Sequence, residues 1–265
     1  MSPKISICFT DVANLEFTRG FFSDLESRGI YGLFLPENSH VPVERPGTLK
    51  AFSDINRLGR FYDPFPCLGA VAALTSRIKL GTSVCLLTQR RSFFLKGILS
   101  TIQRISVDRF IFGVAGGFIR EAMENHGSDF RRRWEIVEDE VGQLRAHWDL
   151  NLNSTRGLLF PPVWIGSNSK EVPKRVARYA DGWMTRKSIY PGDAIEDAKS
   201  ACNDVGRDFR EISMISMDAS LDIAEVIADH ESGYQHFIYF VSSDSSEEMG
   251  LKIDNISKLI ERLLV

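Results

Sequence analysis

The sequence is short of the features that mark a specialised class of protein. Its 265 residues hold four cysteines, none in a CxxC or Cys/His spacing that would bind a metal. Cys8 and Cys85 sit inside apolar runs, where a free cysteine behaves as a small core residue. No apolar stretch has the length of a membrane span or the form of a signal peptide, so the expectation is a cytoplasmic chain without membrane contact. The net charge is only −3 and like charges do not cluster. The densest basic spot, Arg131-Arg132-Arg133, runs straight into Trp134 and Glu135 and reads as a solvated helix start rather than a nucleic-acid surface. No GxGxxG turn follows an early strand, which counts against an open dinucleotide-binding sheet. No HxH pair or carboxylate cluster ends a strand, so a metal-dependent barrel hydrolase is disfavoured and no metal is expected.

What is present is a rhythm. With 43% hydrophobic and 25% charged residues the composition is that of an ordinary globular protein. Short apolar runs at Ile5–Phe9, Tyr31–Leu35, Ile78–Leu87, Arg109–Val114, Val163–Gly166, Gly182–Met184, Glu211–Met217 and His236–Val241 read as strands. Helical patterns separate them, among them Phe17–Leu25, Pro66–Leu74, Ser92–Ser106, Lys170–Tyr179, Ala194–Val205 and Ile223–Asp229. A long loop is expected from Pro36 to about Asp63. In the helix at Ser92–Ser106, Phe94, Ile98, Ile102 and Ile105 are taken as the core face. Trp134, Val137, Val141, Leu144 and Trp148 form a second apolar stripe, also read as core, and Ile253, Ile256, Leu259, Ile260 and Leu263 a third. Eight strands, each followed by a helix, predict an α/β fold of the (β/α)8 TIM-barrel type, one domain over residues 1–265. An open doubly wound sheet is the alternative.

The segment Ile78–Gly127 is the most informative. It reads strand, helix, strand and then Gly116-Gly117, a unit whose glycine turn falls at a strand's carboxyl end, where parallel α/β folds bind ligands. Gly81 inside an apolar strand suggests a bulge or a close backbone approach. Gly166-Ser167-Asn168-Ser169 lies between a strand and a helix. There Ser and Asn can cap the helix, whose free N–H groups and dipole favour an anion; an ordinary capped helix and a phosphate site are both open. Glu37, Asn38 and His40 follow the second strand, and a carboxylate and an imidazole at a barrel mouth can act as acid and base. Asp11, just past the first strand, points to the same mouth. His126 reads equally well as a ligand contact or a loop-stabilising residue.

Four stretches carry a resemblance to the bacterial luciferase-like family of flavin- and deazaflavin-dependent barrel oxidoreductases. They are LFLPENSHVPV from Leu33, IKLGTSVCLLTQR from Ile78, RISVDRFIFGVAGGFIREAMENHG from Arg104, and VWIGSNSKEVPKRVARYADGWM from Val163. The MENHG and RYADGWM pieces resemble the deazaflavin-using branch most strongly. The resemblance implies an enzyme that uses coenzyme F420, or reduced FMN, for hydride transfer or monooxygenation of a small organic substrate. It implies a ring site at Thr82, Ser83 and Val84 with a non-proline cis peptide near Ser83-Val84, room for the cofactor at Gly116 and Gly117, and a phosphate turn at Gly166, Ser167 and Asn168. It also implies catalytic roles for Glu37, Asn38 and His40 and a homodimer.

Three features depart from that pattern. Asn38 stands where the family usually has histidine, and an amide hydrogen-bonds but does not transfer a proton near neutral pH. Phe118-Ile119 replaces the usual Trp-Asn, and the connection from Trp148 to Val163 is short. These departures support an alternative in which the chain is a non-catalytic barrel, retained as a binding or partner subunit.

Overall fold

In the computed structural model, residues 2–12, 15, 17–42, 62–150, 155–242 and 245–264 are described. The middle of the long loop after the second strand, Val43 of the first resembling stretch, and residues 151–154 of the short connection lie outside them. The elements run β1 (Lys4–Phe9), α1 (Arg19–Ser27), β2 (Gly32–Leu35), α2 (Pro64–Leu74), β3 (Lys79–Thr82), β4 (Cys85–Leu86), α3 (Ser92–Ser106), β5 (Phe110–Ala115), α4 (Arg120–Asn125), α5 (Arg133–Asp149), β6 (Val163–Gly166), α6 (Val172–Tyr179), β7 (Gly182–Thr185), α7 (Ala194–Asp204), β8 (Ser213–Ser216), α8 (Ile223–Ser232), β9 (His236–Val241) and α9 (Ser246–Leu263).

All strand pairings are parallel, in the order β3-β2-β1-β9-β8-β7-β6-β5-β4, and β3 also pairs with β5. The sheet therefore closes on itself. Since β3 and β4 are two parts of one strand, it is an eight-stranded barrel ringed by helices, the expected (β/α)8 architecture. The split in the third strand is a finding the apolar run at Ile78–Leu87 hides. Gly81 faces Ile111 and Cys85 faces Val114, so four steps on one strand match three on its neighbour: a bulge. The Ser83-Val84 peptide bond inside it is cis, as the resemblance implies.

The barrel strands are buried on both faces, which is why they read as near-continuous apolar runs. One layer, between barrel and helices, holds residues such as Ile7, Leu33, Phe112, Trp183 and Phe237. The other fills the barrel itself with Cys8, Phe34, Ile111, Trp164, Met184, Ile215 and Ile238. Phe34 and Trp164 stack there with centroids 5.7 Å apart. Glycines make room for them: a Cβ on Gly81 would lie 2.4 Å from the Phe34 ring, and one on Gly182 2.4 Å from the Trp164 ring. Deeper in, the buried His236 meets Trp164 and Tyr31 edge-on at 4.8 and 5.3 Å.

Helix starts follow local chemistry. Thr18, Asp63, Asp193, Asp222 and Ser245 cap α1, α2, α7, α8 and α9 through their side-chain oxygens. Two elements correct the sequence reading. The buried face of α3 carries Leu95, Leu99, Ile102 and Ser106, while Phe94 is 78% exposed and Ile105 is also exposed. Both stripes have helical spacing, and packing against α2 and α5 selects the one shifted by a position. Trp134, taken as core with the rest of its stripe, is half-buried at the start of α5, whereas Val137, Val141, Leu144 and Trp148 are buried as expected. The short helix α4 has no counterpart among the expected elements. No helix among the described residues is long and apolar enough to cross a membrane.

Candidate functional site

At the carboxyl ends of the strands a cavity of about 600 Å³ opens over the barrel core. Its walls come from the ends of all eight strands. Thr10 follows β1, Pro36, Glu37 and Asn38 follow β2, and Ser83, Val84 and Leu86 belong to the bulged third strand. Ala115 to Ile119 (without Gly116) end β5, Gly166, Ser167 and Asn168 end β6, Met184 and Arg186 end β7, and Met217 follows β8. Phe240 of β9 and Trp134 of α5 complete it. A second hollow of about 390 Å³ lies on the outer surface beside α6 and α7, and its buried tyrosine hydroxyl, on Tyr190, is already spent on Asp197 at 2.6 Å.

The three residues expected to do proton chemistry are placed unequally. Glu37 and Asn38 line the cavity, and His40 does not. One Glu37 oxygen pairs with the Arg90 guanidinium and the other accepts the Leu86 backbone N–H at 2.8 Å. Its side chain is 7% exposed, so the ion pair is nearly dry and fixes the end of β4 against the β2 loop. The Asn38 amide donates to the His40 carbonyl at 3.1 Å. The His40 ring turns to the loop after β5. Asn125 Nδ2 can only donate, so His40 Nε2 accepts from it at 3.0 Å; in the neutral ring Nδ1 then donates to Ser39 Oγ at 2.9 Å. Ser39 is also 3.0 Å from His126 Nε2. His126 is held below its ordinary pKa by burial and by the neighbouring His40. The structure therefore gives His126 a loop-joining contact.

The expected ring site is similarly divided. Thr82 is buried behind the cavity, its hydroxyl donating to the Gly113 carbonyl at 2.6 Å. Ser83 and Val84 line the cavity. The Ser83 hydroxyl is buried and has no full hydrogen-bond partner; only the Cys8 thiol, a weak one, lies against it. Burial pushes the Cys8 thiol up to about 12, against the opposing effects of Ser83 and of the Arg186 charge, so Cys8 stays protonated. Gln89 Oε1, also at the cavity, is a second buried atom without a partner. Gly117 lines the cavity with φ +78°, a left-handed conformation suited to glycine. Gly116 stands behind it against the Arg133 side chain.

At the β6–α6 turn, Gly166, Ser167 and Asn168 all line the cavity. The turn is built otherwise than helix capping by Asn168 would have it. Asn168 Oδ1 accepts from Thr185 Oγ1 at 3.2 Å and from the Arg186 N–H at 2.8 Å, which ties the β6 loop to β7. Ser167 and Ser169 take the backbone N–H groups of Ser169 and Glu171, and Glu171 at the N-cap makes no side-chain cap. Sequence reasoning missed Arg186, Phe240, Met217 and Gln89. The signal for Arg186 was the strand alternation Gly182, Met184, Arg186 carried past the strand's end.

A family model described as luciferase-like monooxygenase matches residues 10–251. A Mycobacterium tuberculosis protein described as uncharacterized is 31% identical over 180 residues, 60% of this chain and 64% of that protein. The phthiodiolone/phenolphthiodiolone dimycocerosates ketoreductase of the same species is 27% identical over 170 residues, 56% of this chain and 44% of the ketoreductase. The matched part thus spans less than two thirds of either relative. A solved F420-dependent secondary alcohol dehydrogenase, in complex with an F420-acetone adduct, superposes with a TM-score of 0.73 over 99% of both chains at 13% identity, a likeness of fold. The chain belongs to the luciferase-like monooxygenase family.

Proposed function

We propose that this luciferase-like chain is an oxidoreductase that binds a deazaflavin, coenzyme F420, with FMN as the alternative, and acts on a small organic substrate. The observation that carries the reading is the make-up of the cavity. Val84 and Gly166 face each other so closely that a Cβ on Gly166 would lie 2.5 Å from a Val84 methyl. Beside this close apolar contact in the cavity wall stand two buried polar oxygens without full partners, Ser83 Oγ and Gln89 Oε1. A flat heteroaromatic ring with hydrogen-bonding edges suits that combination. The F420-dependent dehydrogenase named above adds support for the deazaflavin, the ketoreductase adds support for an oxidoreductase, and the family's monooxygenase description keeps FMN as the alternative.

When bound, the deazaflavin supplies hydride to or from the substrate, whereas FMN supplies oxygen activation. The chain's own residues bind, orient and shield. The Gly166–Asn168 turn, which lines the cavity, would receive the cofactor's phosphate at the start of α6. Leu86, Phe118, Ile119 and Trp134 keep water from the ring. Glu37, with both oxygens engaged, holds the β2 loop in place together with His40, and Asn38 presents a polar group to the substrate.

One observation favours the second reading, a barrel that binds but does not turn over. Among the described lining residues there is no histidine, and the one carboxylate is paired with Arg90. Titration of the purified protein with FMN and with deazaflavin, each reduced and oxidised, separates the readings. Tight binding of one cofactor, lost when Gly166 is replaced by valine, supports the oxidoreductase. Turnover in a ketone and alcohol screen then excludes the binding-only barrel. Failure of every cofactor to bind at tens of micromolar sinks the assignment. Light scattering on the same sample tests the homodimer that belongs to this proposal.

A further inference from the structure

We infer that the substrate of this site is an apolar molecule bearing a negative charge, in the first instance a carboxylate, and that Arg186 receives it; this rests on the oxidoreductase reading above. Two charged side chains line the cavity among the described residues, Glu37 and Arg186. The Glu37 charge is matched by Arg90. Arg186 has no matching acid: its guanidinium makes no hydrogen bond or ion pair with a described residue, and it lies over the Phe240 ring, 5.0 Å from the centroid. The acids that bond the two residues after it are occupied there. Asp218 accepts from the Lys187 and Ser188 backbone N–H groups, and Asp229 pairs with Lys187.

The surroundings of Arg186 are apolar. Met184 precedes it on the inward face of β7, Met217 follows β8, and Phe240 stands on β9. A cation in such a setting is poorly compensated, and a ligand that brings a carboxylate gains a two-pronged, charge-assisted pair. The direction of the side chain separates this anion from the cofactor's phosphate. Around the barrel, β6 lies on one side of β7, and β8 and β9 on the other. The guanidinium reaches Phe240 on β9, away from the β6 turn. Its field is also felt at Cys8 of β1, inside the barrel next to β9. Arg186 thus charges the half of the cavity opposite the proposed phosphate turn, where Met184, Met217 and Phe240 leave room for a hydrocarbon body.

The test uses octanoate and its neutral counterpart octanamide, titrated calorimetrically into wild-type protein and into Arg186→Met and Arg186→Lys, with and without cofactor. Wild type is expected to bind octanoate at least ~10-fold more tightly than octanamide at low salt. Arg186→Met should bring the two within about twofold, and Arg186→Lys should keep part of the preference. Unchanged thermal melting shows that the variants fold. Equal binding of acid and amide by wild type, no octanoate binding at millimolar concentration, or a preference that survives Arg186→Met would overturn the inference. So would a loss of cofactor affinity in Arg186→Met as large as the loss for octanoate, because Arg186 would then serve the phosphate. A wild type that prefers octanoate yet binds neither cofactor would refute the oxidoreductase reading and leave the anion site standing.

Discussion

Gly166 and Val84 touch in the wall of the cavity, and a methyl group added to Gly166 would sit 2.5 Å from Val84 Cγ1. Val84 is short and β-branched, so it has little freedom to swing away. Gly166→Ala should therefore push Val84 into the cavity where the cofactor ring is proposed to lie. Cofactor affinity is expected to fall ~10-fold or more, with little change in the unfolding midpoint, since the displaced methyl moves toward open space. Calorimetric titration alongside urea unfolding measures both.

The ion pair between Glu37 and Arg90 joins residues 53 positions apart at the barrel mouth. Glu37→Gln removes the charge and leaves the largely buried guanidinium with Asp63 alone. The loss is expected to be about 2 kcal/mol, below the usual cost of breaking a fully buried pair because glutamine keeps one acceptor. Urea midpoints of the two proteins test this, and the difference should persist at high salt because the pair is shielded from ions.

Deep in the barrel, His236 is held down to about 3 by burial, with the Lys4 charge adding to the effect. The unfolded chain takes up a proton at this residue near pH 6.5, and the folded chain does not until about pH 3. Stability contributed by the neutral ring is thus fully present above pH 6.5 and is lost as the pH falls from there toward 3. At pH 4.5 the loss amounts to about 3 kcal/mol. His236→Phe cannot take up that proton, so the gap between its urea midpoints at pH 7.5 and 4.5 should be smaller than that of the wild type. Equal gaps would contradict the assignment.

Packing inside the barrel makes a further prediction. Gly182→Ala places a methyl 2.4 Å from the Trp164 ring, which is itself stacked on Phe34 and touched by His236. Neither ring can retreat without displacing the other. The variant should lose about 1–3 kcal/mol despite the usual gain from replacing glycine. Near-ultraviolet circular dichroism of the tryptophans and chemical unfolding report the change.

Much of this architecture is carried by local periodicity. The alternation of short apolar runs with helical stripes is a property of neighbouring residues, and it determines eight strand–helix units. Gly81, out of place in an apolar run, marks the bulge, and a parallel sheet points the search for a ligand site to the strand ends where Glu37, Ser83 and Gly166 stand. What that periodicity cannot carry is the choice of partner. Leu95 and Phe94 both lie on plausible helical stripes, and only the neighbouring helices decide which is buried. Asn168 has the chemistry of a helix cap, but closure of β6 against β7 offers it Thr185 and the Arg186 backbone instead. Glu37 reads as a catalytic acid or base until the barrel brings Arg90 beside it, and Arg186 gains its apolar setting only where β7, β8 and β9 bring Met217 and Phe240 around it. Each of these pairings joins residues far apart in the chain. Hydrogen bonds and charges act over a few ångströms, so the folded barrel, rather than the order of residues, decides which groups meet.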